Sequence, residues 1–110
     1  MTLQGGIGLQ MKSFTKEADH EDHQVVPLEK AVVMLEEPVA VSQFFEDLCT
    51  PAEWKAICER WKVAQLIARG VSYREISKQL GVSTATITRV GRALNLGTGY
   101  SRLLTKMRNK

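Results

Sequence analysis

The chain has 110 residues, enough for one domain with one modest core; with 44% apolar but only 6% aromatic side chains, Leu, Ile, Val and Ala must build most of that core. The longest apolar runs, such as Ala31 to Leu35, are far too short to cross a bilayer, and the first residues lack the basic and apolar regions of a secretory signal, so a cytoplasmic protein is expected. The net charge of +3 hides an asymmetry: residues 1–53 carry 3 basic and 10 acidic side chains, residues 54–110 carry 12 and 2. A half so basic suits a polyanion, commonly nucleic acid; a merely solvated face would interleave acids, and only Glu59 and Glu75 appear there.

Residues 1–26 read as a flexible tail. Gly5, Gly6 and Gly8 cluster, Lys16 to His23 is almost wholly polar, and neither stretch has a helical or strand period. Asp19-His20-Glu21-Asp22-His23 lacks the helical H-E-x-x-H spacing of a metal site and reads as an acidic solvated segment, so no metal is expected. From Pro27 the signals turn helical. Pro27 suits a first turn, Leu28, Ala31, Val32 and Leu35 follow at helix spacing, and Pro38 is expected to stop that segment. A second short helix is predicted from about Ser42 to Leu48, with Phe44, Phe45 and Leu48 as its apolar face.

Thr50-Pro51-Ala52-Glu53 is a helix start: Thr50 caps, Pro51 fits the first position and Glu53 reaches back to complete a capping box. This helix should run to Arg69 and end at Gly70. Trp54, Ile57, Trp61, Ala64 and Ala68 form its apolar stripe, widened by Cys58, Val63, Leu66 and Ile67; so broad an arc calls for partners beyond one neighbouring helix, including a second subunit. Cys49 and Cys58 have no CxxC spacing and no nearby His, and are expected to be reduced core thiols.

Ser72 to Glu75 is a second capping box, opening a short helix with Ile76 and Leu80 inward. Gly81 permits a positive φ at a sharp turn, Val82 plugs the gap, and Ser83 caps the next helix, whose inward positions are Ile87, Val90 or Gly91, and Leu94. Small Ser77 stands where two steeply crossing helices approach. This is the pattern of a helix-turn-helix over residues 72–94. Its remaining side chains fit a groove reader. Thr84, Ala85, Thr86 and Thr88 are small, with hydroxyls and methyls suited to base edges, while Arg74, Lys78, Arg89 and Arg92 surround them and suit phosphates. With the capping Ser83 they form the candidate DNA-binding set. Taken singly, each feature also occurs in plain helical hairpins; their combination favours DNA.

Leu48-Cys49-Thr50-Pro51-Ala52-Glu53, Arg60, Arg69-Gly70, Arg74-Glu75, Leu80-Gly81 and Ala85-Thr86-Ile87-Thr88-Arg89 resemble the Trp repressor family. Phe44 to Thr50 and Ser83 to Val90 look closer still to its YerC-type branch. The resemblance covers residues 27–105, leaving 106–110 as a basic end. It implies an all-α, Trp repressor-like helical bundle forming an intertwined homodimer, each subunit presenting its helix-turn-helix to half of a near-palindromic operator on double-stranded DNA, in a bacterial, nucleoid-associated setting. It places DNA contacts on Arg74, Thr84, Ala85, Thr86 and Thr88. Ser77 and Asn95 stand where the repressor has lysines. The resemblance also implies an effector pocket at Thr50, Arg60, Arg89, Val90 and Ala93, where the repressor holds tryptophan between two arginines. Val90 replaces a glycine that gives the indole room, and Ala93 a serine that helps receive the ammonium group. No cofactor is expected; an amino-acid corepressor such as tryptophan is the one effector the resemblance raises.

No nucleophilic triad, phosphate loop or carboxylate pair is present, so an enzyme is not expected. The expected function is a sequence-specific transcriptional regulator, a repressor. The rival readings are a helical dimerisation or protein-interaction module, and a non-specific nucleic-acid-binding protein.

Overall fold

The computed structural model describes residues 25–109; the expected tail, except its last two residues, and the whole Asp19–His23 stretch lie outside them. Among the described residues there are six helices and no strand, as the all-α expectation required: α1 (Leu28–Met34), α2 (Pro38–Leu48), α3 (Pro51–Ala68), α4 (Tyr73–Leu80), α5 (Thr84–Leu96) and α6 (Gly99–Arg108). The chain divides into two compact units inside α2, between Val41 and Ser42.

In the first unit Pro27 precedes α1, and its carbonyl accepts the amides of Lys30 and Ala31. The helix ends in extended backbone at Leu35, before Pro38 is reached. Pro38 therefore does not stop a helix; it opens α2, where a missing N–H removes no intrahelical bond. The second helix starts four residues before the expected Ser42 for this reason. No described side chain of this unit is buried, and Val33 is 80% exposed.

In the second unit the start of α3 forms as expected. Thr50 Oγ1 accepts the Glu53 amide at 3.1 Å, and Glu53 Oε1 accepts the Thr50 amide at 2.8 Å. Phe45 stacks on Trp54 with ring centroids 5.1 Å apart, tying the end of α2 to this turn. Arg69 caps the far end, and Gly70 follows at φ +86°. Burial along the predicted α3 stripe is uneven. Its buried residues are Val63 and Ala64, whereas Ile57 and Ala68 are exposed and Trp54 and Trp61 half-buried. The stripe is real in sequence, but among the described residues only Val63 and Ala64 of it are buried; Trp54 and Trp61 meet Phe45 and Tyr100 while staying half-exposed. Cys49 and Cys58 are free thiols, half-buried rather than core.

The core is small. Val63, Ala64, Ile76, Val82, Ile87 and Val90 are buried, and Trp61, Leu66, Ile67, Val71, Leu80 and Tyr100 pack around them. Burying each Val or Ile contributes about 1.5–3 kcal/mol. These residues come from α3, α4, the turn and α5, so the core lies directly behind the helix-turn-helix. The last helix, α6, packs on α5 and α3. Ser101 Oγ donates to the Leu94 carbonyl at 3.2 Å, and Tyr100 stacks on Trp61 at 6.3 Å.

Candidate nucleic-acid interface

Two helices joined by a three-residue turn form the site. Ser72 Oγ accepts the Glu75 amide at 3.1 Å and starts α4. The expected capping box is only half made, because the Glu75 carboxylate accepts from Gln79 Nε2 at 3.2 Å instead of reaching back to Ser72. Ile76 is fully buried and Leu80 half-buried, as predicted. Gly81 closes the helix at φ +70°, ψ +19°, a left-handed conformation that disfavours any Cβ. Val82 enters the core. Ser83 then starts α5: its Oγ accepts the Thr86 amide at 3.1 Å and lies 3.1 Å from Thr86 Oγ1. Ile87, Val90 and Gly91 are all buried, so both of the alternatives left open at the second inward position face in.

The opposite face is solvent-facing. Thr84, Ala85 and Thr88 are exposed at the start of α5, and Thr86 is half-buried with its hydroxyl on Ser83. Arg74 and Lys78 on α4, and Arg89 and Arg92 on α5, are exposed. Among the described residues the one ion pair is Lys55–Glu59, elsewhere on α3, so these four cations have no acidic partner there. The arrangement gives small polar groups flanked by four cations, a surface able to meet base edges and phosphates together.

Two features of the site were not anticipated. Ser77 Oγ donates to the Val82 carbonyl at 3.0 Å, bracing the turn from inside. Tyr73 lies against Gly91, where an added Cβ would overlap the phenol oxygen. The sequence marked Ser77 as small at a close crossing, but nothing in it paired Tyr73 with Gly91.

Among the described residues, two of the effector-pocket candidates, Arg60 and Ala93, line different grooves. Arg60 borders a groove of about 600 Å³ with Leu48, Cys49 and Glu53, whereas Ala93 lines a different one beside Trp61 and Tyr100. Thr50 spends its hydroxyl on the capping box, Arg89 is exposed, and Val90 is a core residue only 2% exposed.

Against known proteins, residues 23–108 match the family described as Trp repressor protein. The chain belongs to the Trp repressor family. That family is one of non-enzymatic, DNA-binding regulators carrying a helix-turn-helix. Two solved structures share the fold. A TrpR-like protein from Eubacterium eligens ATCC 27750 superposes with a TM-score of 0.69 at 37% identity, covering 73% of this chain and 84% of its own. A candidate Trp repressor from Staphylococcus aureus superposes with a TM-score of 0.69 at 39% identity, covering 76% and 84%. The uncharacterized protein YerC of Bacillus subtilis (strain 168) is 46% identical over 55 residues, half of this chain; the match spans 53% of that relative's length. In keeping with the membrane expectation, no described helix is long and apolar enough to cross a membrane.

Proposed function

We propose that this Trp repressor-family chain is a sequence-specific transcriptional repressor that binds a near-palindromic operator as a homodimer. The observation that carries the reading is the exposed start of α5. Ser83 caps the helix and leaves Thr84, Ala85 and Thr88 free, with Arg74, Lys78, Arg89 and Arg92 around them and no acid among the described residues to neutralise them. In this reading α5 enters the major groove, Thr84, Ala85, Thr86 and Thr88 read base edges, and the cations hold phosphates.

The homodimer is supported by uncovered apolar side chains. α1, α2 and α6 bury none of their residues within the chain, and Leu48, Ile57, Leu96, Leu103 and Met107 are exposed in the second unit alone. Single-chain surfaces seldom leave so many large apolar groups in water unless a partner covers them. A two-fold dimer would present two reading helices to two half-sites about one helical turn apart.

Control by an amino acid is the less supported part. Val90 fills core space where the repressor has a glycine, and Ala93 offers no hydroxyl. We therefore propose operator binding without tryptophan. Selection of bound sequences from a random DNA pool, with purified protein and with or without amino acids, tests both parts. An enriched palindrome in every condition is expected. No enriched sequence under any condition would overturn the repressor reading, and enrichment only with tryptophan would overturn effector independence alone.

A further inference from the structure

We propose that Tyr73 is a positioning residue for DNA reading: its phenol, seated in the notch left by Gly91, sets the angle at which the recognition helix α5 is held against α4. The inference rests on the DNA-reading function proposed above.

Gly91 is buried in the middle of α5. Glycine is disfavoured in a helix interior relative to alanine, so its presence there needs a reason. Backbone conformation is not that reason, because the positive-φ glycines among the described residues are Gly70 and Gly81. Space is the reason. A Cβ on Gly91 would overlap the Tyr73 phenol oxygen, lie 3.1 Å from its Cζ, and come within 3.7 Å of Ile67 Cδ1 on α3. The glycine lets the ring lie directly on the helix backbone.

The place of this contact gives it a function. Tyr73 immediately precedes Arg74, and Gly91 lies three residues after Thr88 and one before Arg92. One contact thus links the phosphate-facing start of α4 to the helix that carries the base-facing threonines, independently of the turn. The ring borders an open groove shared with Thr88, Arg92 and Asn95, on the same surface as the candidate DNA contacts. Tyr73 is also 42% exposed, so it is not a core anchor. Displaced by a methyl group on residue 91, the ring can swing into water while Ile76, Ile87 and Val90 keep the helices packed. What is lost is the fixed angle. Base-edge hydrogen bonds weaken steeply with misalignment, whereas non-specific binding rests on the charge of the backbone. Loss of the clamp should therefore act on discrimination rather than on affinity for DNA in general.

The test compares full-length wild type, Gly91→Ala, Tyr73→Ala, Tyr73→Phe and the Tyr73→Ala/Gly91→Ala double variant. Each is measured for affinity to the sequence that wild type enriches, for affinity to a scrambled duplex, and for thermal midpoint. Gly91→Ala and Tyr73→Ala should each lose about tenfold or more of the specific affinity, the scale of one base contact, while scrambled binding and midpoint stay near wild type. Tyr73→Phe should lose less specificity than Tyr73→Ala, because it removes the oxygen seated in the notch but keeps the ring carbon beside it. The double variant should bind no more weakly than Tyr73→Ala, since the methyl then meets no ring. Unchanged discrimination in both single variants would overturn the proposal, as would additive losses in the double variant or loss of the folded state in both single variants, which would make the contact purely structural. If wild type itself fails to distinguish the two duplexes, the repressor reading has failed and the clamp proposal falls with it; wild-type discrimination that survives both single variants sinks the clamp alone.

Discussion

The Ser77 hydroxyl, on the last full turn of α4, donates to the Val82 carbonyl on the far side of the glycine turn at 3.0 Å. This ties the helix that precedes the turn to the residue that plugs it. Both residues are largely shielded from water, so the carbonyl has little access to a solvent replacement. Ser77→Ala should lower unfolding free energy by about 1–2 kcal/mol, the range for a partly buried acceptor left unpaired. Urea denaturation followed by circular dichroism checks this; an unchanged midpoint would show that the bond contributes nothing net.

Gly81 isolates a conformational cost. An added Cβ would meet nothing within 4 Å, so Gly81→Ala introduces no clash, only a side chain at φ +70°. The expected loss is about 1–2 kcal/mol, with Gly81→Asn recovering part of it because asparagine tolerates the left-handed region better. Equal losses for the two substitutions would point to a cause other than backbone conformation.

The two helix starts that look alike in sequence should respond differently. At α3 the capping box is reciprocal, so Thr50→Ala and Glu53→Ala should each destabilise, Thr50→Ala by about 1 kcal/mol. At α4 only Ser72 caps, and Glu75 faces Gln79 at the surface. Glu75→Ala should therefore stay within about 0.5 kcal/mol of wild type, as surface changes usually do. A Glu75→Ala loss as large as that of Glu53→Ala would mean the second box closes in solution.

The proposed phosphate contacts and base contacts can be separated by salt. Arg74→Ala, Lys78→Ala and Arg92→Ala should each reduce the slope of log affinity against log salt by about 1 and weaken all duplexes alike. Thr84→Val and Thr88→Val should leave that slope intact and change which sequence is preferred. Thr86→Val should also lower stability, because the Thr86 hydroxyl sits against Ser83. Fluorescence anisotropy across a salt series, on an operator and a scrambled duplex, separates the cations from the threonines, and a thermal midpoint sets Thr86→Val apart.

The uncovered apolar faces predict mass. Sedimentation equilibrium should return about twice the 12.3 kDa chain mass. Leu103→Glu, on an exposed position of α6, should shift it toward one chain.

The helix-turn-helix was legible because each of its demands falls on a residue type with few substitutes. A left-handed turn asks for Gly81, helix starts ask for Ser72 and Ser83, and burial at helical spacing asks for Ile76, Ile87 and Val90. The boundary at Pro38 was misread because proline both ends and opens helices, and only the chain's exit at Leu35 decides which. The stripe on α3 was legible as an apolar arc too broad for one neighbouring helix, but what covers it was not. Periodicity shows that a face is apolar, not what covers it, and Ile57 and Ala68 are uncovered within the chain. The pairing of Tyr73 with Gly91 was invisible because they lie 18 positions apart; Gly91 reads only as an inward position of its helix, and Tyr73 carries no local signal. Their relation exists only once the two helices cross.

The small core described above has a consequence for how such a chain behaves when it is scarce. With six buried side chains behind α5, much apolar surface is left elsewhere, and in the proposed homodimer a second copy covers it. Folding and pairing then become linked equilibria, and apparent stability rises with the logarithm of protein concentration. Dilution would act on this regulator as denaturant acts on a monomer. The lowest abundance at which it works would be set by the faces of α1, α2 and α6, and not by the helix proposed to touch DNA.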